Sequence, residues 1–391
     1  MKNLRSMIGR TAFAAAVSAV SLFGGACAAN HPDAAPAAPK KTVKASLYVD
    51  SGSGGNGMLY WARLLEYSPE IELSLISGKE IREGKLKGQD LVVFPGGYAP
   101  RQYESLQEEG AAAVRKFVAD GGSYLGICAG FASSLNAPKR IRLLPFGRKP
   151  RSGGKYGVLA VDVSARGSQV LDIRPGRYKV RYNGGPIPCP GDKPGEGWGE
   201  GLAVYGNTVS YFDKPEGNFY GDFAILHGQF GKGKVIAISF HPESFESTHC
   251  IALGAVYAVT GVKPKPVFPK NDFRPLRVGF YILGTCNSAV RQMFALDREP
   301  KIGLRLTASD ELNEGALSHV DALFISDGPA EKGKVFQIDP VRSEQIRVFL
   351  ERGGLIFAPE AVCQYLPKHP NVKPYTGGPD PAEQVLKQSG M

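Results

Sequence analysis

Short apolar runs recur along this chain, each closed by a glycine-marked turn and followed by an amphipathic stretch before the next run begins. That alternation predicts βαβ units on a parallel sheet. Strands are expected over Ala45–Val49, Ile71–Leu75, Asp90–Phe94, Ser123–Ile127, Val158–Val163 and Val235–Phe240. The same layout returns, more weakly, after a Pro-rich stretch around Lys263-Pro264-Lys265-Pro266. There Leu276–Ile282 answers to Lys44–Val49, Val320–Gly328 to Gln89–Gly97, and Ile346–Gly354 to Val114–Gly122. Even Tyr182-Asn183-Gly184-Gly185-Pro186 has an echo in Tyr375-Thr376-Gly377-Gly378-Pro379. Matches in one order are the mark of an internal repeat. The pattern divides the chain into a domain over 44–262, a hinge over 263–275 and a shortened second copy over 276–391.

Length agrees, since 391 residues suit two domains of about 100–200 residues better than one core. A hydrophobic share of 43% with 49 glycines and 29 prolines is globular and rich in turns. The start of the chain reads differently. Lys2, Arg5 and Arg10 precede an apolar, small-residue run from Thr11 to Ala26, the layout of an export signal over 1–28. Ala26-Cys27-Ala28 suits simple cleavage, the favoured outcome, while Cys27 after Gly24-Gly25-Ala26 offers a lipoprotein site as the alternative. The expected location is thus periplasmic or secreted, with a membrane attachment only through a lipid anchor at Cys27. Residues 29–43, with Ala34-Ala35-Pro36-Ala37-Ala38-Pro39, form a Pro/Ala-rich linker. Loss of residues 1–28 lowers the formal net charge from +10 to +7. A chain that basic points to anionic ligands or surfaces, and it shows no arginine-rich helix or aromatic-basic ladder of a nucleic-acid module.

The chemistry concentrates on Gly126-Ile127-Cys128-Ala129-Gly130. It follows a strand and precedes small residues suited to a helix, and flanking glycines are what a crowded nucleophile elbow requires. A second element, Gly231 to Ser244, is a turn and a buried strand ending in His241-Pro242-Glu243. Parallel α/β sheets place their sites at that strand edge. His241 is expected to take the thiol proton and Glu243 to orient the imidazole. A third, Phe94-Pro95-Gly96-Gly97, offers backbone amides that join the amide of Ala129 as an oxyanion hole.

These motifs resemble class I glutamine amidotransferases, with Cys128, His241 and Glu243 matching the triad. The closer likeness is to the amidotransferase-like amino-terminal domain of biotin-protein ligases and its bacterial stand-alone relatives. It rests on Phe94-Pro95-Gly96-Gly97-Tyr98, on Gly126 to Phe131 and on Tyr182 to Pro186. The resemblance implies a flavodoxin-like parallel sheet, no cofactor and no metal, and an amide as substrate. Biotin ligation is not carried over, because the chain lacks a Gly-Arg-Gly-Arg adenylate loop. The function expected is cysteine-dependent hydrolysis or transfer at an amide of a small molecule or a cell-envelope component. The rival is a ligand-binding or scaffold module that keeps the same pocket. A protease or deglycase of the related intracellular-protease-like branch is disfavoured, because Ala129 stands where that branch has His.

The second copy reads Glu360 at the Cys128 position, Ala358 and Val362 at the elbow glycines, and no His-Pro-Glu, so it is expected to be inert. Tyr182, Gly184 and Gly185 are expected to wall the site, with Tyr182 touching substrate. Gly52 to Gly57 reads as a flexible turn lining the site, or as an anion cradle. Between Lys139 and Arg181 stand twelve Lys or Arg against Asp162 and Asp172. That is a solvated face or a rim steering an anionic substrate toward Cys128. His227 is expected to be structural, and His249 and Cys250 to lie in the core. Cys286 and Cys363 both follow strand ends on one sheet edge, so they are either a disulfide or two buried thiols.

Overall fold

The computed structural model describes residues 42–149, 157–190, 198–207, 220–269, 275–284, 286–307, 311–312, 315–327, 340–375 and 380–391. The export-signal reading, nearly all of the linker and the Thr376–Pro379 echo lie outside them.

Five buried strands form the parallel part of the first sheet: β1 (Val43–Tyr48), β2 (Ile71–Ile76), β3 (Leu91–Phe94), β4 (Ser123–Ile127) and, far later in sequence, β11 (Gly233–Ile238). Their order, β2-β1-β3-β4-β11, is the doubly wound flavodoxin-like order. Apolar strands buried on both faces explain why these runs were legible. Helices α1 (Gly55–Glu66), α2 (Gly78–Arg82), α3 (Ala99–Ala119) and α4 (Ala129–Ser134) return the chain between them.

The strand expected at 158–163 is present but not parallel. β6 (Gly157–Val163) belongs to an antiparallel extension with β7 (Gly176–Tyr182), β9 (Trp198–Asn207) and β10 (Phe223–Phe230), in the order β11-β10-β9-β6-β7. Short β5 (Phe146–Arg148) and β8 (Pro188–Pro190) pair separately. Helix α5 (Ala165–Leu171) lies inside the extension, and α6 (His249–Thr260) follows the triad segment. Of the extension, β6 was expected as a strand, but β7 escaped the sequence reading because it is mostly exposed and charged, with only Val180 and Tyr182 buried.

The second sheet repeats the first in outline. β12 (Leu276–Tyr281), β13 (Ile302–Thr307), β14 (Ala322–Ile325), β15 (Leu355–Pro359) and β16 (Val372–Tyr375) run in the order β13-β12-β14-β15-β16, all parallel. Helices α7 (Asn287–Arg298), α8 (Pro340–Glu351), α9 (Glu360–Cys363) and α10 (Pro381–Gln388) accompany them. Register corrects one of the matched segments. Tyr124 and Ile356 occupy equivalent ladder positions, so Tyr375 of β16 stands where Ile238 of β11 does, not where Tyr182 does.

Lys41 to Met391 forms one unit, and an apolar core runs through both sheets, from Val43 and Trp61 to Phe280 and Met293. Its polar clasp is Asp297 on α7, fully buried, which accepts from Arg63 Nε (2.9 Å), Arg63 Nη2 (3.2 Å) and the Tyr67 hydroxyl (2.8 Å). The described part of the Pro-rich hinge is anchored: Val267 N–H donates to Tyr67 O, and Phe268 meets the Tyr67 ring edge-on. Among the described residues no helix is long and apolar enough to cross a membrane.

Candidate active site

β4 delivers Cys128 at the carboxyl edge of the sheet, and the turn there is strained. Cys128 has φ 50° and ψ −98°, a region that L-residues other than glycine rarely enter. Two glycines make this turn sterically feasible. A Cβ on Gly130 would stand 2.1 Å from Phe94 O, and one on Gly126 would stand 2.6 Å from Gly130 C. α4 therefore starts hard against the strand, with the thiol at its head.

Beyond β11, His241 N–H donates to Arg181 O, which ties the triad segment to the end of β7. His241 Nδ1 lies 2.7 Å from Glu243 Oε1, and the carboxylate is fully buried. The Cys128 side chain shares the cavity with this imidazole and acts on its protonation. Burial alone would push its pKa down, but the Glu243 and Cys128 charges and hydrogen bonds outweigh that and raise it to about 10. Sγ of Cys128 also lies 3.6 Å from the Asn183 carbonyl, an acceptor for the thiol form.

Close backbone approach explains the glycines around the imidazole. A Cβ on Gly96 would meet His241 Cε1 at 2.4 Å, and one on Gly57 would meet Glu243 Oε1 at 2.8 Å. The Gly96–Gly97 loop is held by the loop before α1: Gly54 N–H donates to Gly96 O (2.5 Å) and Tyr98 N–H to Gly52 O (2.8 Å). Neither bond uses the N–H of Gly97. The Ala129 N–H opens α4 and has no intrahelical acceptor. Those two amides are donors that the hydrogen bonds of the two loops leave open.

A cavity of about 600 Å³ opens on Cys128, His241 and Gly97. Gly54, Gly55, Asn56 and Gly57 line it, which agrees with the site-lining turn. Tyr182 does not line it. Its ring is buried and its hydroxyl donates to Gly185 O (2.7 Å), so the expected substrate contact is replaced by a loop clamp. Gly184, at φ 64°, makes the turn, and Gly185 lies so close to Ser239 O that a Cβ would be 1.7 Å away. Both shape the wall from behind.

Asn183, in the loop expected to wall the site, and Arg181, at the end of the basic segment, both line it, whereas sequence reasoning missed Tyr60 and Phe245 and the second sheet's Tyr281, Ile282, Thr307 and Glu311 on the far wall. The available signal was the edge rule: Tyr281–Ile282 and Thr307 end β12 and β13 as Tyr48–Val49 and Ile76 end β1 and β2.

Other expectations resolve simply. His227 is structural, with Nδ1 3.2 Å from Glu200 Oε1 and its ring edge-on to Trp198. His249 and Cys250 are only partly buried, at the start of α6, so they are not core; His249 Nε2 is 3.1 Å from Glu243 O. Cys286 and Cys363 are free, each partly buried, and contact Asp327 O and Ala358 O respectively. In the basic segment Lys149 is paired with Asp222, Arg166 with Glu200 and Arg177 with Asp162. Arg151 lies outside the described residues.

The strand order and the elbow define a class I glutamine amidotransferase-like fold. Within that class, residues 67–136 match the family model described as biotin-protein ligase, N terminal. The matched stretch includes the Gly96–Gly97 loop and Cys128 and stops before His241 and Glu243. No curated protein matches the chain. Among solved structures it is similar to PurLQS from Thermotoga maritima, at 17% identity over 55% of this chain and 98% of that one (TM-score 0.41). It is also similar to a β-galactosidase from Bacillus circulans sp. alkalophilus (14% identity, 59% and 33% covered, TM-score 0.37). A thua-like protein from Bacteroides uniformis ATCC 8492 is comparable (13%, 59% and 95%, TM-score 0.41).

Proposed function

We propose that this is an exported, cysteine-dependent amide hydrolase or amidotransferase-like enzyme acting through Cys128, His241 and Glu243. The observation that carries the reading is a cysteine at φ 50° on a strand-to-helix turn, lining one cavity with a histidine that is itself 2.7 Å from a buried carboxylate. The thiol proton passes to His241, and sulfur attacks the amide carbon. The amides of Gly97 and Ala129 hold the oxyanion. The C–N bond then breaks, and the leaving nitrogen takes its proton from His241. Water, losing a proton to His241, cleaves the thioester and releases the acid, and the proton returns to sulfur.

The substrate proposed is an amide of a small molecule or a cell-envelope component, with export by the 1–28 signal and either a soluble mature form or a lipid anchor at Cys27. Any attraction for acidic groups would come from the basic segment after α4. Biotin ligation is not part of the proposal.

Cys128→Ser and His241→Ala should each lower turnover and labelling by an electrophilic amide probe by about 10³-fold or more. Labelling that survives Cys128→Ser, or is indifferent to His241→Ala, refutes the assignment. A second reading, a binding module, is favoured by the second sheet's share of the cavity wall. It predicts a Cys128 that reacts with iodoacetamide no faster than an ordinary thiol.

A further inference from the structure

The walls of the Cys128 cavity differ in chemistry. Asn56, Gly97, Asn183 and His241 contribute polar groups, while Tyr60 and Phe245 of the first sheet's domain and Tyr281 and Ile282 of the second present rings and branched carbon, with Thr307 and Glu311 the polar residues of the second sheet's side. The formal charges at the lining oppose one another: Arg181 is matched by Glu311, and His241 by the buried Glu243 carboxylate 2.7 Å behind it. No net charge on the lining therefore calls for a charged acyl group.

The apolar wall is fixed in place. A Cβ on Gly55, the first residue of α1, would stand 2.5 Å from Ile282 Cγ2, so the Ile282 side chain sits directly on that helix start. Farther along α1, Arg63 and Tyr67 are clamped to buried Asp297. The second sheet thus supplies a standing wall and not a lid. A cavity of about 600 Å³ lies within the range that encloses drug-sized ligands. It is larger than an acetyl or carboxamide group alone requires.

We propose that Tyr60, Phe245, Tyr281 and Ile282 form an acyl pocket, and that the amide cleaved at Cys128 carries a bulky, uncharged, apolar acyl group. The inference rests on Cys128 being the nucleophile. Each methylene taken from water into such a pocket strengthens binding about fourfold.

The test is protection of Cys128 in the full chain from iodoacetamide, read by peptide mass, with acetamide, glutamine and 3-phenylpropionamide as competitors. The expected result is protection by 3-phenylpropionamide at a concentration at least about tenfold lower than either of the others. Ile282→Ala should narrow that gap to about threefold, whereas Ile282→Val, which keeps a branched side chain against Gly55, should preserve most of it. Equal protection by the three amides, best protection by glutamine, or a gap that survives both Ile282→Ala and Tyr281→Ala overturns the acyl pocket while leaving the nucleophile standing. Carbamidomethylation of Cys128 no faster than that of Cys286 and Cys363 overturns both.

Discussion

The elbow at β4–α4 and its counterpart at β15–α9 are the same junction built twice, and they differ in a few atoms. Ladder register places Leu355 with Ser123 and hence Glu360 with Cys128. In the first copy the chain turns at Cys128 with φ 50°, and the helix begins one residue later. In the second the turn residue is Pro359 at φ −52°, and Glu360 is already helical. Ala358 and Val362 stand where Gly126 and Gly130 allow α4 to touch the strand. The oxyanion loop has changed too: Gly96 is matched in register by Asp327, whose N–H and carboxylate are taken up by Gln292. Past β16, three residues beyond Tyr375, the sequence reads Gly378 at the position equivalent to His241. The strand order is shared by both copies, so the fold alone does not make the site. Two missing side chains and one positive φ do.

Grafting the second copy's residue into the first should break the comparison most. Gly130→Val forces a branched side chain into a space where even a Cβ meets Phe94 O at 2.1 Å. Backbone cannot yield there as a flexible side chain would. The expected outcome is loss of Cys128 alkylation by about 10²-fold or more, with destabilisation of about 1–3 kcal/mol or above from overpacking. Iodoacetamide kinetics and a urea melt measure the two. An unchanged alkylation rate would mean that the close approach of α4 is irrelevant to reactivity.

The next effect concerns how the two copies are joined. Asp297→Ala leaves Arg63 and the Tyr67 hydroxyl without their buried acceptor. Breaking one side of a buried pair costs about 3–5 kcal/mol, which should appear as a lower denaturant midpoint. Arg63 is slightly exposed, so the lower end applies. A loss below about 0.5 kcal/mol would show the clasp to be dispensable.

The parallel strands and the elbow were legible because their signals are local: continuous apolar runs, and glycines at fixed distances from a cysteine. Ser123–Ile127 was bounded correctly to the residue. Of the antiparallel extension only β6 was legible, because β7 and β9 mix charge with glycine and bury only part of each face. Gly199 and Gly201 in β9 exist to let the Phe146 and Phe223 rings lie on the backbone, a contact between distant segments that periodicity does not encode. Tyr182 shows the same limit at the site. Its neighbours in sequence suggested a substrate contact, but burial and a bond to Gly185 O decide otherwise. The far wall, with Ile282 and Glu311, depended on how one sheet docks on another.

The smallest effect separates the copies by pH. His241 is held above its ordinary value, at about 10, by Glu243 and Cys128 against the opposing pull of burial. A group that binds its proton more tightly when folded contributes stability that is fully present below its unfolded pKa of about 6.5. That contribution shrinks as pH rises and is gone above the folded value. The stability gap between the wild-type chain and His241→Asn should therefore be widest near pH 6 and close progressively toward about pH 10. Denaturant midpoints of both proteins across that window measure it. Among the described residues the second copy has no imidazole–carboxylate pair at the edge of its sheet, so its local unfolding, followed by hydrogen exchange in β15, should not share this dependence. A gap that stays flat, or widens with pH, would mean that burial and not the two charges governs His241.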